Sequence, residues 1–299
     1  MADAGLPVRF GWFLVPDAAD PRALVDQARQ AERAGFDLVG IQDHPYQRRH
    51  LDTFTLLAAL ATATERIGLV PDVANLPLRN PAMLAKAAAS IDLLSGGRFE
   101  LGLGAGAFWD AVAAMGGPRR SPGEAVEALE EAIGLLRRLW SDERSVRFQG
   151  RHYQLAGVRP GPAPAHPIGI WIGGYGPRML ALTGRLADGW VPSASYLPPE
   201  RLAAAQARVD DAAAGAGRDP AAIRRCYNLS GRIGPGGGGG FLDGPAGQWV
   251  EQLLPLVVET GMDTFVLWPS ESPASQLERF AAEVAPGLRE AVAAHRGRA

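Results

Sequence analysis

Short apolar runs alternate eight times with longer amphipathic stretches along this chain, and this alternation constrains the fold more than any other feature of the sequence. The first pair is an apolar run over 8–15, predicted to be a strand, and a stretch over 21–34, predicted to be a helix with Asp20 as its N-cap. Continuous apolar runs are typical of parallel strands buried on both faces. Eight such units in 299 residues predict an α/β fold of the (β/α)8 TIM-barrel type, with a doubly wound open sheet as the alternative.

Two segments interrupt this alternation. Residues 141–167 are polar and contain four prolines, which predicts an insertion after the fourth helix, with a short hairpin around 146–155. Residues 234–244 include five consecutive glycines, from which no packed element is expected, so a mobile loop is predicted there. We therefore expect one barrel domain over 1–299 that carries an insertion and a glycine-rich loop.

Composition excludes several classes of protein. Apolar residues make up 47% and charged residues 21%, which is typical of a folded chain, and a net charge of -2 gives no reason to expect nucleic acid or a membrane surface as a partner. No run approaches the length of a membrane span and no secretory leader is visible, so we expect a cytoplasmic protein. The single cysteine, Cys226, excludes a disulfide within one chain.

Catalytic groups of such barrels sit at the carboxyl ends of the strands. Asp43 and His44 close the second predicted strand. An imidazole titrates near neutral pH and suits proton transfer, which makes His44 the candidate acid or base; a turn cap with a polar neighbour is the alternative interpretation. The other histidines form no ligand pair with His44 at metal-binding spacing, so no metal site is predicted.

Glycines follow two other predicted strands. Gly173, Gly174 and Gly176 precede a helix that begins near Pro177, whose free N–H groups and dipole favour an anion, and Arg178 adds a positive charge. This pattern predicts a phosphate cradle, with an unliganded glycine turn as the alternative. The glycines after the fourth strand are interpreted as allowing a flat ring or its chain to lie against the strand ends, because a dinucleotide fingerprint would follow the first strand.

Several segments together resemble the bacterial-luciferase-like family of flavin- and deazaflavin-dependent oxidoreductases. The resemblance extends over about residues 8–195 and more weakly to 270. The segments that carry it are 76–86, 90–106, Asp43-His44, 139–140, Gly173-Gly174 and 187–190.

The resemblance implies FMN or coenzyme F420 at the carboxyl ends of the strands, and a homodimer, since many members dimerise. It also implies a non-prolyl cis peptide between Asp72 and Val73, behind the cofactor ring. The residues implied at the cofactor are Asp43 on the ring side, Asp72, Val73 and Ala74 behind the ring, Gly104, Ala105 and Gly106 at its border, and Gly173, Gly174, Tyr175 and Gly176 around its phosphate, near Arg178.

The Asp43-His44 pair looks like the F420-using branch of the family. Sugar-phosphate dehydrogenases of that branch carry a glutamate after the fourth strand, where this chain has Ala107, so sugar-phosphate oxidation is not expected. The sequence predicts hydride transfer between F420 and a small organic substrate. An FMN-dependent monooxygenase served by a separate reductase, and a non-catalytic flavin-binding relative, are the alternatives; the substrate itself is not predicted.

Overall fold

The computed structural model describes residues 3–236, 240–270 and 273–298. The strands of these residues are β1 (Arg9–Leu14), β2 (Leu38–Ile41), β3 (Gly68–Pro71), β4 (Ala74–Asn75), β5 (Leu101–Gly104), β6 (Val146–Gln149), β7 (Gln154–Val158), β8 (Ile170–Gly173), β9 (Gly189–Trp190), β10 (Arg224–Ile233), β11 (Asp243–Gly244) and β12 (Thr264–Pro269). The α-helices are α1 (Pro21–Arg33), α2 (Thr53–Ala63), α3 (Pro81–Ser95), α4 (Trp109–Ala114), α5 (Pro122–Leu139), α6 (Pro177–Leu186), α7 (Leu202–Gly215), α8 (Ala246–Val258), α9 (Pro273–Arg279) and α10 (Ala285–Arg296). The 3-10 turns are Leu76–Leu78, Pro199–Arg201 and Pro220–Ala222, and a π-helical turn over Phe280–Val284 joins α9 to α10.

The parallel strands form a closed barrel, which confirms the predicted TIM-barrel fold. Pairing runs in the order β3-β2-β1-β12-β10-β9-β8-β5-β4. The ring closes where Leu69 of β3 bridges Phe99, just before β5: the amide of Glu100 donates to the carbonyl of Leu69 at 3.0 Å. Helices alternate with the strands on the outside, so the carboxyl ends of all eight strands meet at one mouth.

The third strand is split in two by a cis peptide between Asp72 and Val73, the bond that the sequence resemblance implied. Before the break β3 pairs with β2, and after it β4 pairs with β5. This break explains why nine parallel segments stand where eight strands were expected.

Local sequence signals explain several helix ends. The side chain of Asp20 accepts a hydrogen bond from the amide of Ala23 and caps α1, as predicted. Ser121 and Glu124 form a reciprocal capping box at the start of α5, and Gly96 ends α3 in the left-handed conformation. The amphipathic helices so delimited pack their apolar faces on strands buried on both sides, such as β2 and β5.

The structure confirms the hairpin predicted within residues 141–167 and contradicts part of the prediction for residues 234–244. The insertion contains the expected hairpin, formed by antiparallel β6 and β7. The expectation of no packed element over 234–244 is wrong for its second half, because β11 pairs with the end of β10 and the Leu242 side chain is completely buried. One apolar residue after the glycines is enough to anchor this end of the segment. Residues 237–239 lie outside the part of the chain that the structure describes.

Candidate active site at the carboxyl ends of the barrel strands

His44 stands at the mouth, three residues beyond the buried strand β2. Its Nδ1 lies 3.0 Å from Nε2 of Gln42, whose amide donates to it, and the carbonyl of Gln42 is held in turn by the hydroxyl of Thr53 at 2.6 Å. Burial lowers the pKa of His44, and the nearby charge of Asp43 opposes this effect only in part. The ring is therefore neutral at pH 7, with its proton on Nε2.

Asp43, the residue before it, has a different environment from the one expected of a ring contact. Its side chain is 1% exposed, and both carboxylate oxygens accept hydrogen bonds from Arg79 at 2.6 Å. One oxygen also accepts from the amide of Asn75 at 2.8 Å. Asp43 thus ties the segment after β2 to β4, and the expectation that its carboxylate lines the ring side of the pocket needs correction, because a fully bonded and buried group has no free face.

Asp72 lies across the barrel interior from β10. Nδ2 of Asn228 donates to its carboxylate at 2.9 Å and also lies 3.3 Å from the hydroxyl of Ser193. Burial raises the pKa of Asp72 to about 6, and the hydrogen bond from Asn228 offsets only part of that rise. A carboxyl group without a cationic partner, in the part of the chain described here, therefore sits at the floor of the mouth beside Val73.

We expect Asp72→Asn to stabilise the protein at alkaline pH and to change its stability little at acidic pH. The folded-state pKa of about 6 exceeds the value of ~3.9 for an unfolded chain, so folding favours the protonated carboxyl. The destabilisation is absent below pH ~4, grows between pH ~4 and ~6, and reaches about 3 kcal/mol above pH ~6.

Thermal melts of wild type and Asp72→Asn at pH ~5 and pH ~8 measure this difference. Asp26→Asn, whose carboxylate on α1 is 74% exposed, is the control. The same change in Tm at both pH values would contradict a titrating Asp72.

At the strand ends, the missing side chains of several glycines leave space that neighbouring protein atoms fill. A Cβ on Gly104 would come within 2.8 Å of the Val73 side chain, and one on Gly173 within 3.1 Å. Gly106 is closed off by Pro77 at 2.5 Å, and Ala105 is buried. The interpretation that Gly104 and Gly106 allow a flat ring to lie against the strand ends is therefore corrected: the space that their missing side chains leave is filled by protein. Their backbone atoms remain candidates for contact with a ligand.

In the segment before α6, Gly176 differs from these glycines because the space beside it is open. A Cβ on Gly176 would meet no atom within 4 Å, whereas one on Gly174 would meet Met179 at 2.2 Å. Gly176 is the N-cap of α6 and provides no side-chain cap, so the first amides of the helix have no partner from it. Nε1 of Trp190 holds the carbonyl of Gly174 at 3.0 Å. The start of α6 at Gly176 is thus open and braced, as the predicted phosphate cradle requires.

Arg178, expected beside this cradle, turns toward α5. Its guanidinium lies 3.8 Å from Glu127, and its side chain is 64% exposed. The charge expected for a phosphate is therefore partly neutralised by this carboxylate in the structure.

Aromatic side chains surround the mouth, and the sequence interpretation missed most of them. The ring of Phe108 lies 5.5 Å from His44 and 5.9 Å from Tyr46. Tyr175 and Tyr196 are 5.5 Å apart, and Trp268 stacks on Phe13 at 4.7 Å. Among the tryptophans near the strand ends, Trp12 and Trp190 are core residues and Trp268 is exposed. The useful sequence signal would have been the aromatic residues two to six positions past β2, β5, β8 and β9, namely Tyr46, Phe108, Tyr175 and Tyr196.

Buried polar atoms near the mouth lack partners, as a ligand site requires. They are the amide oxygens of Asn75 and Asn228 and the hydroxyl of Tyr46. Burial raises the pKa of Tyr46 to about 12, so its hydroxyl stays protonated and can donate. A polar, flat ring whose edge both donates and accepts hydrogen bonds would satisfy these groups, while its anionic chain could reach Gly176. Three buried polar atoms without hydrogen-bond partners at one mouth fit a flavin-like cofactor better than an empty barrel end.

The fold and the residues at its mouth place the protein in the class of (β/α)8 barrels with a candidate ligand site at the strand ends. Within that class, residues 8–231 match the family described as luciferase-like monooxygenase. The chain belongs to that family, in agreement with the resemblance found in the sequence.

Curated relatives of the chain are named as F420-using and pterin-reducing enzymes. It is 36% identical over 192 residues to the F420-dependent glucose-6-phosphate dehydrogenase of Intrasporangium calvum, which covers 62% of this chain and 57% of that protein. It is 34% identical over 213 residues to the 5,10-methylenetetrahydromethanopterin reductase of Archaeoglobus fulgidus, covering 71% and 60%. The chain thus matches less than two thirds of the length of these relatives.

Solved structures share the fold over nearly the whole chain. An F420-dependent secondary alcohol dehydrogenase in complex with an F420-acetone adduct superposes with a TM-score of 0.86 at 20% identity, covering 95% of this chain and 99% of the other. The coenzyme F420 dependent tetrahydromethanopterin reductase of Methanopyrus kandleri gives 0.81 at 19% identity, covering 94% and 99%. At these identities the likeness establishes the barrel alone.

Proposed function

We propose that this protein is an F420-dependent oxidoreductase that transfers a hydride between the bound deazaflavin and a small organic substrate. The observation that supports this proposal most strongly is the fixed ring of His44. Its Nδ1 is bonded to Gln42, while its Nε2 has no hydrogen-bond partner among the described residues. The names of the curated relatives support F420 as the cofactor.

The proposed role of His44 is to exchange the substrate proton through Nε2. F420, when bound, supplies the hydride acceptor or donor. With the Gln42 amide donating, Nε2 carries the proton and can give it to a substrate oxygen. Reversal of that amide would place the proton on Nδ1 and make Nε2 a base, so Nε2 is the reactive nitrogen in either direction.

The residues proposed to hold the cofactor lie on three sides of the mouth. Asn75, Asn228 and Tyr46 offer unpartnered polar atoms to the edge of the ring. Asp72, Val73 and Ala74 support it from the end of the third strand. The segment 104–106 borders it through backbone, and residues 173–176 receive its phosphate at the start of α6, where helix dipole and free amides favour an anion. Arg178 adds charge at the rim of this cradle.

Cofactor titration tests the proposal directly. We expect F420 to bind with a dissociation constant of about 1–10 μM or lower, the range of specific cofactor affinities near −8 kcal/mol, and FMN to bind more weakly. Quenching of the cofactor's own fluorescence measures both. Tighter binding of FMN, or FMN retained through purification, would contradict the assignment to F420.

The phosphate cradle has a test of its own at Gly176. We expect Gly176→Asp to weaken F420 binding about tenfold or more, because its carboxylate would occupy the anion site. The melting temperature should not fall, since the position is open and aspartate is a favourable N-cap. Gly176→Ala is the matched control, for which affinity should change less than about threefold. Equal affinities for both variants would remove the cradle from the cofactor site.

A second candidate function is FMN-dependent monooxygenation with reduced flavin from a separate reductase. The description of the family favours it. Oxygen consumption in the presence of chemically reduced FMN separates it from F420-dependent hydride transfer. A non-catalytic flavin-binding protein would bind a cofactor and show no single turnover with any substrate.

We also propose that the protein is a cytoplasmic homodimer. Met83, Leu93 and Leu94 on α3 are 67%, 47% and 56% exposed, and an apolar cluster of this kind on one helix favours contact with a second copy. No helix in the described ranges combines the length and apolar character needed to cross a bilayer. Light scattering measures the mass in solution.

A further inference from the structure

We infer that Asp72 sets how tightly this protein holds the reduced cofactor relative to the oxidised one, because its carboxylate repels the negative charge that the ring gains on reduction. This inference rests on the proposed function and gives one residue of the same site a role of its own. Three observations support it: the place of the carboxyl group in the barrel, its single hydrogen bond, and the charges of the described groups that surround it.

Asp72 lies in the first layer of side chains above the closed core of the barrel. Val70 of β3 and Cys226 of β10 are 4% and 1% exposed and belong to the apolar cluster inside the barrel. Two residues further along the chain from each, and therefore on the same side, come Asp72 and Asn228, which are bonded to each other at 2.9 Å. Both are half-buried, so a ligand in the mouth can reach them.

The carboxylate of Asp72 accepts one hydrogen bond in the described chain, from Nδ2 of Asn228 to Oδ1. The other oxygen, Oδ2, lies beside Gly40 of β2, where a Cβ would come within 3.0 Å of it. Asp43, in contrast, accepts three hydrogen bonds, two of them from Arg79. Carboxylates removed from water are normally paired in this way. Asp72 has no such pair within the described residues, so its charge acts on whatever occupies the mouth.

The groups that face Asp72 from β8, β9 and β10 supply no countercharge. Cys226 and Tyr175 both interact electrostatically with Asp72, and burial raises the pKa of each, so both are neutral between pH ~5 and ~8. Ser193 lies 3.3 Å from Nδ2 of Asn228 and does not titrate in this range. On this side of the mouth, Asp72 is the group whose charge changes, at its pKa of about 6.

The groups on the side of β2 do not cancel the charge of Asp72 at neutral pH. Asp43 and Arg79 form an ion pair with each other. Burial lowers the pKa of His44, and it raises the pKa of Tyr46 to about 12, so both are neutral near pH ~7. An ionised Asp72 therefore makes the floor of the mouth negative above pH ~6.

Reduction adds one negative charge to the ring that F420 supplies. A ring that accepts a hydride gains one proton and two electrons, while the substrate loses that hydride and gives a proton to Nε2 of His44. An ionised Asp72 therefore raises the free energy of the reduced cofactor more than that of the oxidised one. The reduced cofactor gives up its hydride more readily as a result, which favours reduction of the substrate.

Calorimetric titrations with oxidised and with chemically reduced F420 test the inference in wild type and in Asp72→Asn. At pH ~8 we expect the ratio of the dissociation constants, reduced over oxidised, to be about tenfold or more higher in wild type, which corresponds to a potential about 30 mV lower. At pH ~5 the carboxyl is protonated, so the two ratios should agree within about twofold.

Asp110→Asn is the matched control, because this carboxylate stands on α4 after β5 and is 95% exposed. Its ratio should equal that of wild type at both pH values. Two results would overturn the inference: equal ratios in wild type and Asp72→Asn at pH ~8, or the same shift in Asp72→Asn and Asp110→Asn. Failure of F420 to bind in either state would instead contradict the proposed function. Oxidised and reduced FMN, whose ring gains the same charge, would then test Asp72 in the same titrations.

Discussion

His44→Ala is expected to lower the single-turnover rate of hydride transfer by about 10²–10⁴-fold, the usual contribution of a positioned acid or base. The affinity for F420 should change less than about tenfold, because no polar atom of the ring is needed to hold the cofactor in this geometry. The reason for the kinetic effect is positional. Gln42 fixes Nδ1 at 3.0 Å, so the orientation of the ring is set before substrate arrives.

Gln42→Ala is the companion variant. It keeps the imidazole but frees its orientation, so we expect a smaller loss of rate than in His44→Ala, and cofactor affinity close to that of wild type. Rapid-mixing measurements of F420 absorbance, with Tm and affinity from the same samples, separate the two roles of His44. An unchanged single-turnover rate with a lowered Tm would leave the histidine as part of the scaffold.

The pH profile adds a second readout for His44. Burial lowers its pKa, so the neutral ring persists to lower pH than that of a free histidine. Oxidation of the substrate needs the neutral ring as base, so we expect activity to be retained down to a pH below ~6.5 and to fall only beneath the lowered pKa of His44. This fall in activity at acidic pH should be absent in His44→Ala.

The barrel could be predicted from sequence because its signals are local and repeated. Apolar runs such as β2 and amphipathic helices such as α5 each specify one element, and their alternation specifies the topology. The cis peptide at 72–73 came from family resemblance, since no composition or periodicity marks it. No such resemblance marks the π-helical turn over Phe280–Val284, which separates α9 from α10.

The contacts at the site could be predicted only in part, because they join residues distant in sequence. Asn228 bonds Asp72 across 156 positions, and Arg79 bonds Asp43 across 36. In both pairs, the sequence around one residue contains no local pattern that predicts its partner. The same limit applies to Gly104, whose missing side chain leaves room for Val73 and not for a ligand.

Arg79→Ala is expected to destabilise the protein by about 3–5 kcal/mol, because it leaves the carboxylate of Asp43 buried without its countercharge. Arg79 bonds both oxygens of Asp43 at 2.6 Å, bonds Asp52 at 2.8 Å, and lies over the ring of Phe54 at 4.3 Å. Burial works against its charge, yet the bonds to Asp43 and Asp52 outweigh that cost and raise the pKa of Arg79. In a chain of this size the loss corresponds to a fall in Tm of about 5–10 °C.

Arg185→Ala is the matched control for this variant. Arg185 forms an exposed ion pair with Glu130 at 3.1 Å, and exposed pairs contribute about 0–1 kcal/mol, so its Tm should stay close to that of wild type. Combining Asp43→Asn with Arg79→Ala should cost less than the sum of the two single changes, because the stranded charge is gone. Urea unfolding of wild type and of the four variants measures the free energies. Additive losses, or equal effects of Arg79→Ala and Arg185→Ala, would show that the Asp43–Arg79 pair does not hold the segment after β2 against β4.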